Sequence, residues 1–162
     1  MIVKQLQANI GLADAQREGV IGLLRSLLAD EYVLYTKTRN FHWNVTGPRF
    51  HDLHKFFEDQ YNFLDEKIDE IAERIRSLGG VAPGSLAEFL ASARLVEHAG
   101  ELSSADVMLE RLLTDHETVI RHLREDLKRA DEEFGDAGTS DFLTGLMEDH
   151  EKMAWMLRAM LS

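Results

Sequence analysis

Four long stretches of apolar residues at helical spacing limit what this 162-residue chain can fold into. Within each stretch, Leu, Ile, Val, Phe or Met recurs at intervals of three, four and seven residues, which places these side chains on one face of an α-helix. The stretches predict helices at about residues 14–43, 49–78, 104–131 and 140–161. Each helix has one apolar stripe to bury, so the four are expected to pack against one another.

The connections between these helices predict their arrangement. Gly47-Pro48 separates the first two helices by a tight turn, and the glycines at 135 and 138 frame another between the last two. The middle connection, residues 80–103, is much longer. Short, long and short connections indicate two antiparallel hairpins joined by a crossover. The expected fold is all-α, a ferritin-like four-helix bundle.

A short extra helix is predicted inside the crossover. Ser85-Leu86-Ala87-Glu88 has the capping-box pattern, in which Ser85 and Glu88 satisfy each other's backbone N–H groups, and the helix should run to about Ala93. No linker or repeat divides the chain. We therefore expect a single domain over residues 1–162, of which residues 1–13 form a short N-terminal tail.

Composition excludes some chemistry. The chain has no cysteine, which excludes disulfides, thiolate metal sites and cysteine nucleophiles. Its 29 acidic and 18 basic residues give a net charge of -11, which attracts cations and repels phosphate backbones. Residues 1–7 do not look like a signal peptide, and no apolar run approaches the roughly 20 residues of a membrane span. A cytoplasmic location is the expectation.

The second helix carries a narrow band of candidate metal ligands. His54 and Glu58 are four residues apart, and so are Asp69 and Glu73. At 100° per residue, the four lie on one side of the helix, about 125° from its apolar stripe. Imidazole and carboxylate groups suit iron or another first-row divalent ion. His42 lies one turn before this helix and is a further candidate.

One ion cannot use the whole band. Glu58 and Asp69 are separated by about 16 Å along the helix axis. Either the helix carries two weak sites, or a two-fold axis brings His54 and Glu58 of one chain to Asp69 and Glu73 of another. The off-core angle favours the interface. The simpler alternative is an ordinary solvated helix face, since charged residues at this spacing are common.

A specific combination of motifs adds to this interpretation. A His-Trp-Asn run is followed by a second His twelve residues after the first and by an Asp-x-x-x-Glu pair fifteen residues further on. In this combination the chain closely resembles the Dps family of mini-ferritins, named as DNA-binding proteins from starved cells. The resemblance covers most of the chain and is densest over residues 34–84. It is carried by Phe41-His42-Trp43-Asn44-Val45-Thr46-Gly47-Pro48, Leu53-His54, Asp69-Glu70-Ile71-Ala72-Glu73-Arg74 and Leu78-Gly79-Gly80.

The resemblance implies a hollow shell of twelve subunits with dinuclear ferroxidase centres at two-fold interfaces. His42, His54 and Glu58 would come from one subunit, and Asp69 and Glu73 from its neighbour. Glu58 stands where many relatives have Asp, so a carboxylate is kept on a longer side chain. The implied function is oxidation of Fe(II), preferably by hydrogen peroxide, and storage of Fe(III) oxide, which protects against oxidative damage. Trp43 would either intercept radicals or serve only in packing.

A rival metal site lies inside the predicted bundle. Glu31, His116 and His150 fall on the apolar stripes of their helices, where a His–His–Glu set could bind a metal. The simpler interpretation is that they are hydrogen-bonded polar groups of the core.

Acidic residues cluster near the start of the last helix: Asp136, Asp141, Glu148 and Asp149. In the family this region lines acidic pores through which iron enters. Acidic side chains also favour helix N-termini through the helix dipole, which explains Asp141 equally well.

DNA coating without much ferroxidase activity is the alternative function, and a purely structural oligomer is a third. Relatives that bind DNA often use basic tails. Here the first 19 residues contain only Lys4 and Arg17 as basic residues, opposed by Asp14 and Glu18, and residues 158–162 add no basic extension. Since binding to phosphates needs several clustered cations, we predict weak or no DNA binding.

Overall fold

The computed structural model describes residues 7–162, and Lys4 and the first part of the predicted N-terminal tail lie outside these residues. The described part contains five α-helices and no strand, so the predicted all-α fold is confirmed. None of its helices is both long enough and apolar enough to cross a membrane. The helices are α1 (Asp14–Asn44), α2 (Phe50–Ser77), α3 (Leu86–Ser92), α4 (Ala105–Glu132) and α5 (Ala137–Met160).

The helix starts follow local capping chemistry. The capping box of α3 is present: the Ser85 hydroxyl accepts from the Glu88 N–H at 3.3 Å, and the Glu88 carboxylate accepts from the Ser85 N–H at 3.0 Å. Helix α5 begins three residues earlier than predicted, because the Asp136 carboxylate caps it by accepting from the Thr139 N–H at 3.1 Å. Gly138 therefore lies inside the helix, and the prediction that it frames the turn was wrong.

The bundle is built from two hairpins. Helix α1 packs against α2, and α4 packs against α5. The hairpins meet through contacts of α1 with α4 and of α2 with α5, while α3 lies on α1. The predicted apolar stripes form the core, with Leu24, Leu64, Leu109 and Leu143 among the fully buried residues of the four long helices.

Buried ion pairs attach the crossover to α1. Asp30, with no exposed surface, accepts from the backbone N–H groups of Arg94 at 2.5 Å and Leu95 at 3.1 Å. The Arg94 guanidinium contacts Asp30 at 2.7 Å and Asp126 of α4 at 3.2 Å. One buried carboxylate thus satisfies two loop N–H groups and fixes the end of α3 against α1 and α4.

Part of the crossover is nevertheless apolar and exposed in the single chain. Five large apolar side chains have between 60% and 83% of their surface accessible: Val81, Leu86, Leu90, Val96 and Leu102. A single exposed Leu needs no explanation, but this group is concentrated in one connection.

Candidate metal centre

His42 and His54 form a stacked pair where α1 and α2 meet. Their ring centroids are 3.7 Å apart, with 20° between the ring planes. The Nδ1 atom of His42 is 2.7 Å from the backbone oxygen of His54, and the Nδ1 atom of His54 is 2.8 Å from the backbone oxygen of His42. Each histidine is therefore oriented by the main chain of the other.

This geometry fixes the tautomer of both rings. A carbonyl oxygen can only accept a hydrogen bond, so each Nδ1 carries the proton and donates it. In the neutral ring the Nε2 atom then has a free lone pair. Metal-binding histidines are commonly oriented in this way, with the second nitrogen donating to a backbone carbonyl. When its rings are neutral, the pair thus offers two imidazole donors.

Aromatic side chains surround the histidine pair. Tyr61 meets the His42 ring edge to face at 5.3 Å, and Phe50 stacks on His54 at 5.1 Å. The Arg39 guanidinium lies 4.8 Å from the centroid of the Tyr61 ring and 5.4 Å from that of Trp43. Trp43 itself is 64% exposed, so it does not pack in the core of the single chain.

Glu58 lies one helical turn beyond His54 and is partly exposed. Its carboxylate contacts the Lys55 ammonium at 2.9 Å, and Lys55 also contacts Asp59 at 2.8 Å. The hydrogen bond and charge of Lys55 lower the pKa of Glu58, and the charge of His42 adds to this effect. Glu58 is therefore electrostatically coupled to the histidine pair and remains ionised in mildly acidic solution.

Asp69 and Glu73 are not brought to the histidine pair within one chain. Both are exposed on the same continuous helix α2, which keeps Asp69 about 16 Å from Glu58 along the axis. Their carboxylates accept no hydrogen bond and form no ion pair with any described residue of the chain. Within the described residues, no group of three or more His, Cys, Asp or Glu side chains is placed to hold a metal ion.

The structure does bring Glu31, His116 and His150 together, but as a chain and not around one point. His150 Nε2 is 2.7 Å from Glu31 Oε1, and His150 Nδ1 is 2.9 Å from His116 Nδ1. Because His150 uses opposite sides of its ring, the three residues do not converge on one metal position. They are also not the fully satisfied core groups expected from the sequence, since both Glu31 oxygens and the Nε2 atoms of both histidines have no hydrogen-bond partner. The contact of Glu31 with His150 is close but is not an aligned hydrogen bond.

The acidic cluster of α5 separates into different roles. Asp136 is buried, caps the helix and forms an ion pair with Arg74 at 3.2 Å, so it is not available to line a pore surface. Asp149 is partly exposed and lies 3.5 Å from Lys67. Asp141 and Glu148 are exposed and have no ion-pair partner among the described residues.

Two features of the site were not found from the sequence. The reciprocal hydrogen bonds of His42 and His54 depend on the tertiary contact between α1 and α2, which no local pattern encodes. Lys55, in contrast, could have been found, because it lies three residues before Glu58 and four before Asp59 on one helix.

Comparison with known proteins of similar sequence and structure places the chain in a family. The family described as the ferritin-like domain matches residues 21–162. A low temperature-induced protein of Nostoc sp. is 54% identical over 94% of this chain and 86% of that protein. The DNA protection during starvation protein 2 of Bacillus anthracis is 42% identical over 88% of this chain and 97% of that protein. The crystal structure of the Dps protein of Vibrio cholerae, described as a ferritin-like diiron-carboxylate protein, superposes with a TM-score of 0.90, 33% identity and full coverage of both chains. The chain therefore belongs to the Dps family of ferritin-like proteins.

Proposed function

We propose that this protein oxidises Fe(II) at dinuclear centres between subunits and stores the Fe(III) oxide inside a hollow shell. Membership of the ferritin-like Dps family supports iron storage and iron oxidation in general. The observation that carries the more specific proposal is the histidine pair. His42 and His54 direct their Nδ1 atoms to backbone oxygens, which leaves both Nε2 atoms as possible donors beside Glu58, on a helix face that points away from the core.

The remaining ligands would come from a second subunit. A two-fold axis across α2 would pair His42, His54 and Glu58 of one chain with Asp69 and Glu73 of its partner. Histidine and carboxylate donors suit Fe(II), and two adjacent irons supply together the two electrons that reduce hydrogen peroxide to water. Peroxide is the oxidant we propose, because this two-electron step releases no hydroxyl radical.

The apolar crossover supports assembly. Exposed Leu86, Leu90 and Leu102 would be covered by neighbouring subunits, as large apolar patches usually mark protein interfaces. Dps relatives form oligomeric shells, and we propose twelve subunits for this chain by the same likeness. Analytical ultracentrifugation should give a mass near twelve times 18.5 kDa. A monomer or dimer would contradict the proposal.

The first experiment measures the chemistry directly. Fe(II) is added without oxygen, hydrogen peroxide follows, and Fe(III) absorbance and spin-trapped hydroxyl radical are recorded. In the presence of the wild type, Fe(II) should be oxidised faster than free Fe(II) in solution, and little hydroxyl radical should be released. The variant His42→Ala/His54→Ala should lose both properties, whereas His51→Ala, an exposed histidine of the same helix, should keep them. Oxidation by the wild type no faster than that of free iron would refute the proposed activity.

The division of each site between two subunits has its own test. Neither His42→Ala/His54→Ala nor Asp69→Asn/Glu73→Gln should oxidise iron alone. When equal amounts are unfolded together and reassembled, half of the two-fold pairs are mixed. Each mixed pair contains one site with a full set of ligands, so about a quarter of the wild-type activity should return. No recovery, with mixed shells shown by mass spectrometry, would exclude shared sites.

Iron entry is proposed to use the acidic face of α5. The variant Asp141→Asn/Glu148→Gln should slow uptake at limiting Fe(II) without changing shell mass, because it removes two exposed carboxylates that attract cations. An unchanged rate of iron uptake would show that these two residues are ordinary surface residues with no role in iron entry.

Binding to DNA is proposed to be weak or absent. Of the two basic residues near the N-terminus, Arg17 is buried and donates to the backbone oxygen of Leu78 at 3.0 Å, so it cannot contact phosphate. A gel shift at physiological salt should leave duplex DNA unretarded. Clear retardation would favour the alternative function of DNA coating.

A further inference from the structure

Three ionisable side chains from three different helices lie in contact at the centre of the bundle. Glu31 of α1, His150 of α5 and His116 of α4 each have no exposed surface. They form a linear sequence of polar contacts, 2.7 Å from Glu31 Oε1 to His150 Nε2 and 2.9 Å between the Nδ1 atoms of the two histidines. We call these three residues the core triad. It takes no part in the proposed iron chemistry.

No other described residue completes the core triad. Helices α2 and α3 contribute no hydrogen bond or ion pair to it. Both Glu31 oxygens and the Nε2 atoms of both histidines accept or donate no hydrogen bond, so the bond between the two Nδ1 atoms is the one hydrogen bond among these three described side chains. Besides burial, the charge of His150 is the one influence that acts on the protonation of His116. An isolated set of this kind must balance its own charge, because an uncompensated charge in an apolar core is very costly.

The hydrogen-bond geometry limits the number of protons that the core triad can hold. Between the two Nδ1 atoms one ring must donate and the other accept, so only one of these atoms carries a proton. With three protons in total the set is neutral, whichever of its atoms carry them. A fourth proton leaves a positive charge in the core with no counter-ion.

We propose that the core triad is an acid-sensitive lock: it holds α1, α4 and α5 together while it is neutral and loosens their packing when acid adds a proton. The three residues belong to both hairpins of the bundle, so loosening affects the contact between the hairpins. Burial supports the direction, since it lowers the pKa of His116 well below its ordinary value of 6.5.

The sign of the pH dependence follows from this shift. His116 is neutral in the folded protein and gains a proton on unfolding at any pH below about 6.5. Its contribution to stability is therefore complete above that pH and is lost as the pH falls. One proton taken up on unfolding changes the unfolding equilibrium constant about tenfold per pH unit.

The test compares urea unfolding at fixed protein concentration from pH 7.5 to pH 5 for the assembled wild type, His116→Phe and His51→Ala. The wild type and the exposed-histidine control should share the same steep acid dependence. His116→Phe, which replaces the last ring of the core triad by an apolar one, should be less acid-sensitive by close to tenfold per pH unit. Equal pH slopes for the wild type and His116→Phe would overturn the proposal.

Two measurements keep the test decisive if His116→Phe does not fold. In the wild type, imidazole nitrogen NMR should show His116 and His150 sharing one proton between their Nδ1 atoms at pH 7.5, and protonation of His116 only where α4 and α5 amides begin to exchange rapidly. Protonation without faster exchange would refute the lock. Metal analysis of His42→Ala/His54→Ala shells should find no tightly bound transition metal. If a metal is found and is lost after a further Glu31→Gln substitution, the core triad is a metal site and the proposal is overturned.

Discussion

Two substitutions of Asp30 should destabilise the bundle by different amounts, because each removes a different number of the hydrogen bonds that its carboxylate accepts. Its Oδ1 atom accepts from two backbone N–H groups, those of Arg94 and Leu95, and its Oδ2 atom accepts from the Arg94 side chain. Asp30→Asn can keep the backbone bonds through its amide oxygen but loses the bond to the Arg94 guanidinium. Asp30→Ala loses all three bonds.

The structure sets the size of each effect. A hydrogen bond to a charged group contributes about 1.5–3 kcal/mol, and each buried N–H left without a partner costs about 1–3 kcal/mol. Asp30→Asn should therefore lower the free energy of unfolding by about 1.5–3 kcal/mol, and Asp30→Ala by roughly 3.5–9 kcal/mol. For a chain of this length, Tm should fall by about 2–4 °C per kcal/mol.

A double-mutant cycle identifies the source of the loss. Arg94→Met should cost more than Asp30→Asn, because it also removes the ion pair of Arg94 with Asp126. The double variant should cost little more than Arg94→Met alone, because both substitutions remove the same bond between residues 30 and 94. Asp30→Ala should remain strongly destabilising in the Arg94→Met background, since the two backbone N–H groups stay unpaired. Unfolding is followed by circular dichroism at a fixed protein concentration. Additive losses for Asp30→Asn and Arg94→Met would refute the assignment, and so would similar costs for Asp30→Asn and Asp30→Ala.

Two further predictions concern α1 and the proposed metal centre. Gly19→Ala should destabilise the protein by about 1–3 kcal/mol, because its methyl group would lie 2.2 Å from the Phe134 ring, whereas Gly22→Ala, with open space around it, should stabilise by about 0.5–1 kcal/mol in thermal unfolding. Equal effects would contradict this reasoning. Lys55→Met should tighten Co(II) binding at neutral pH about two- to fivefold and raise the pH at which acid abolishes it, because Glu58 loses the cation that lowers its pKa. Binding is measured by calorimetry from pH 4.5 to 7. Equal Co(II) affinities for Lys55→Met and the wild type over this range would show that Lys55 has no influence on the site.

The helices could be predicted because each one carries its own periodic apolar stripe, and that signal is local. Their ends were less certain. The glycines at 135 and 138 predict a turn before a helix that starts at about Ser140, but the Asp136 cap and its ion pair with Arg74 of α2 stabilise the helical conformation from Ala137 onward. Arg74 is 62 residues away in sequence, so no local pattern could have revealed this contact.

The candidate site shows the same division between local and tertiary information. Helical spacing alone separated His54 and Glu58 from Asp69 and Glu73, and the continuous α2 keeps the two sets apart. The spacing did not reveal that His42 and His54 would fix each other's tautomers through their backbone oxygens. It placed Glu31, His116 and His150 on core-facing stripes, yet their order as a chain depends on side-chain directions that only the packed bundle determines.

If the proposed ligands of α1 and α2 bind iron, their positions determine when iron can be oxidised. A single chain offers the imidazoles of His42 and His54 and the carboxylate of Glu58 at one end of the ligand band. That carboxylate forms an ion pair with Lys55. Such a half-site binds a divalent ion weakly and cannot hold two. If the second set of carboxylates comes from a partner, paired oxidation becomes possible only after assembly, when an enclosed space for the insoluble product exists. A centre inside the bundle would lack this coupling, because each monomer could then oxidise iron and release the product into solution. An assembly-deficient variant with an intact His42 and His54 should therefore be inactive, and rapid oxidation by such a monomer would refute the shared site.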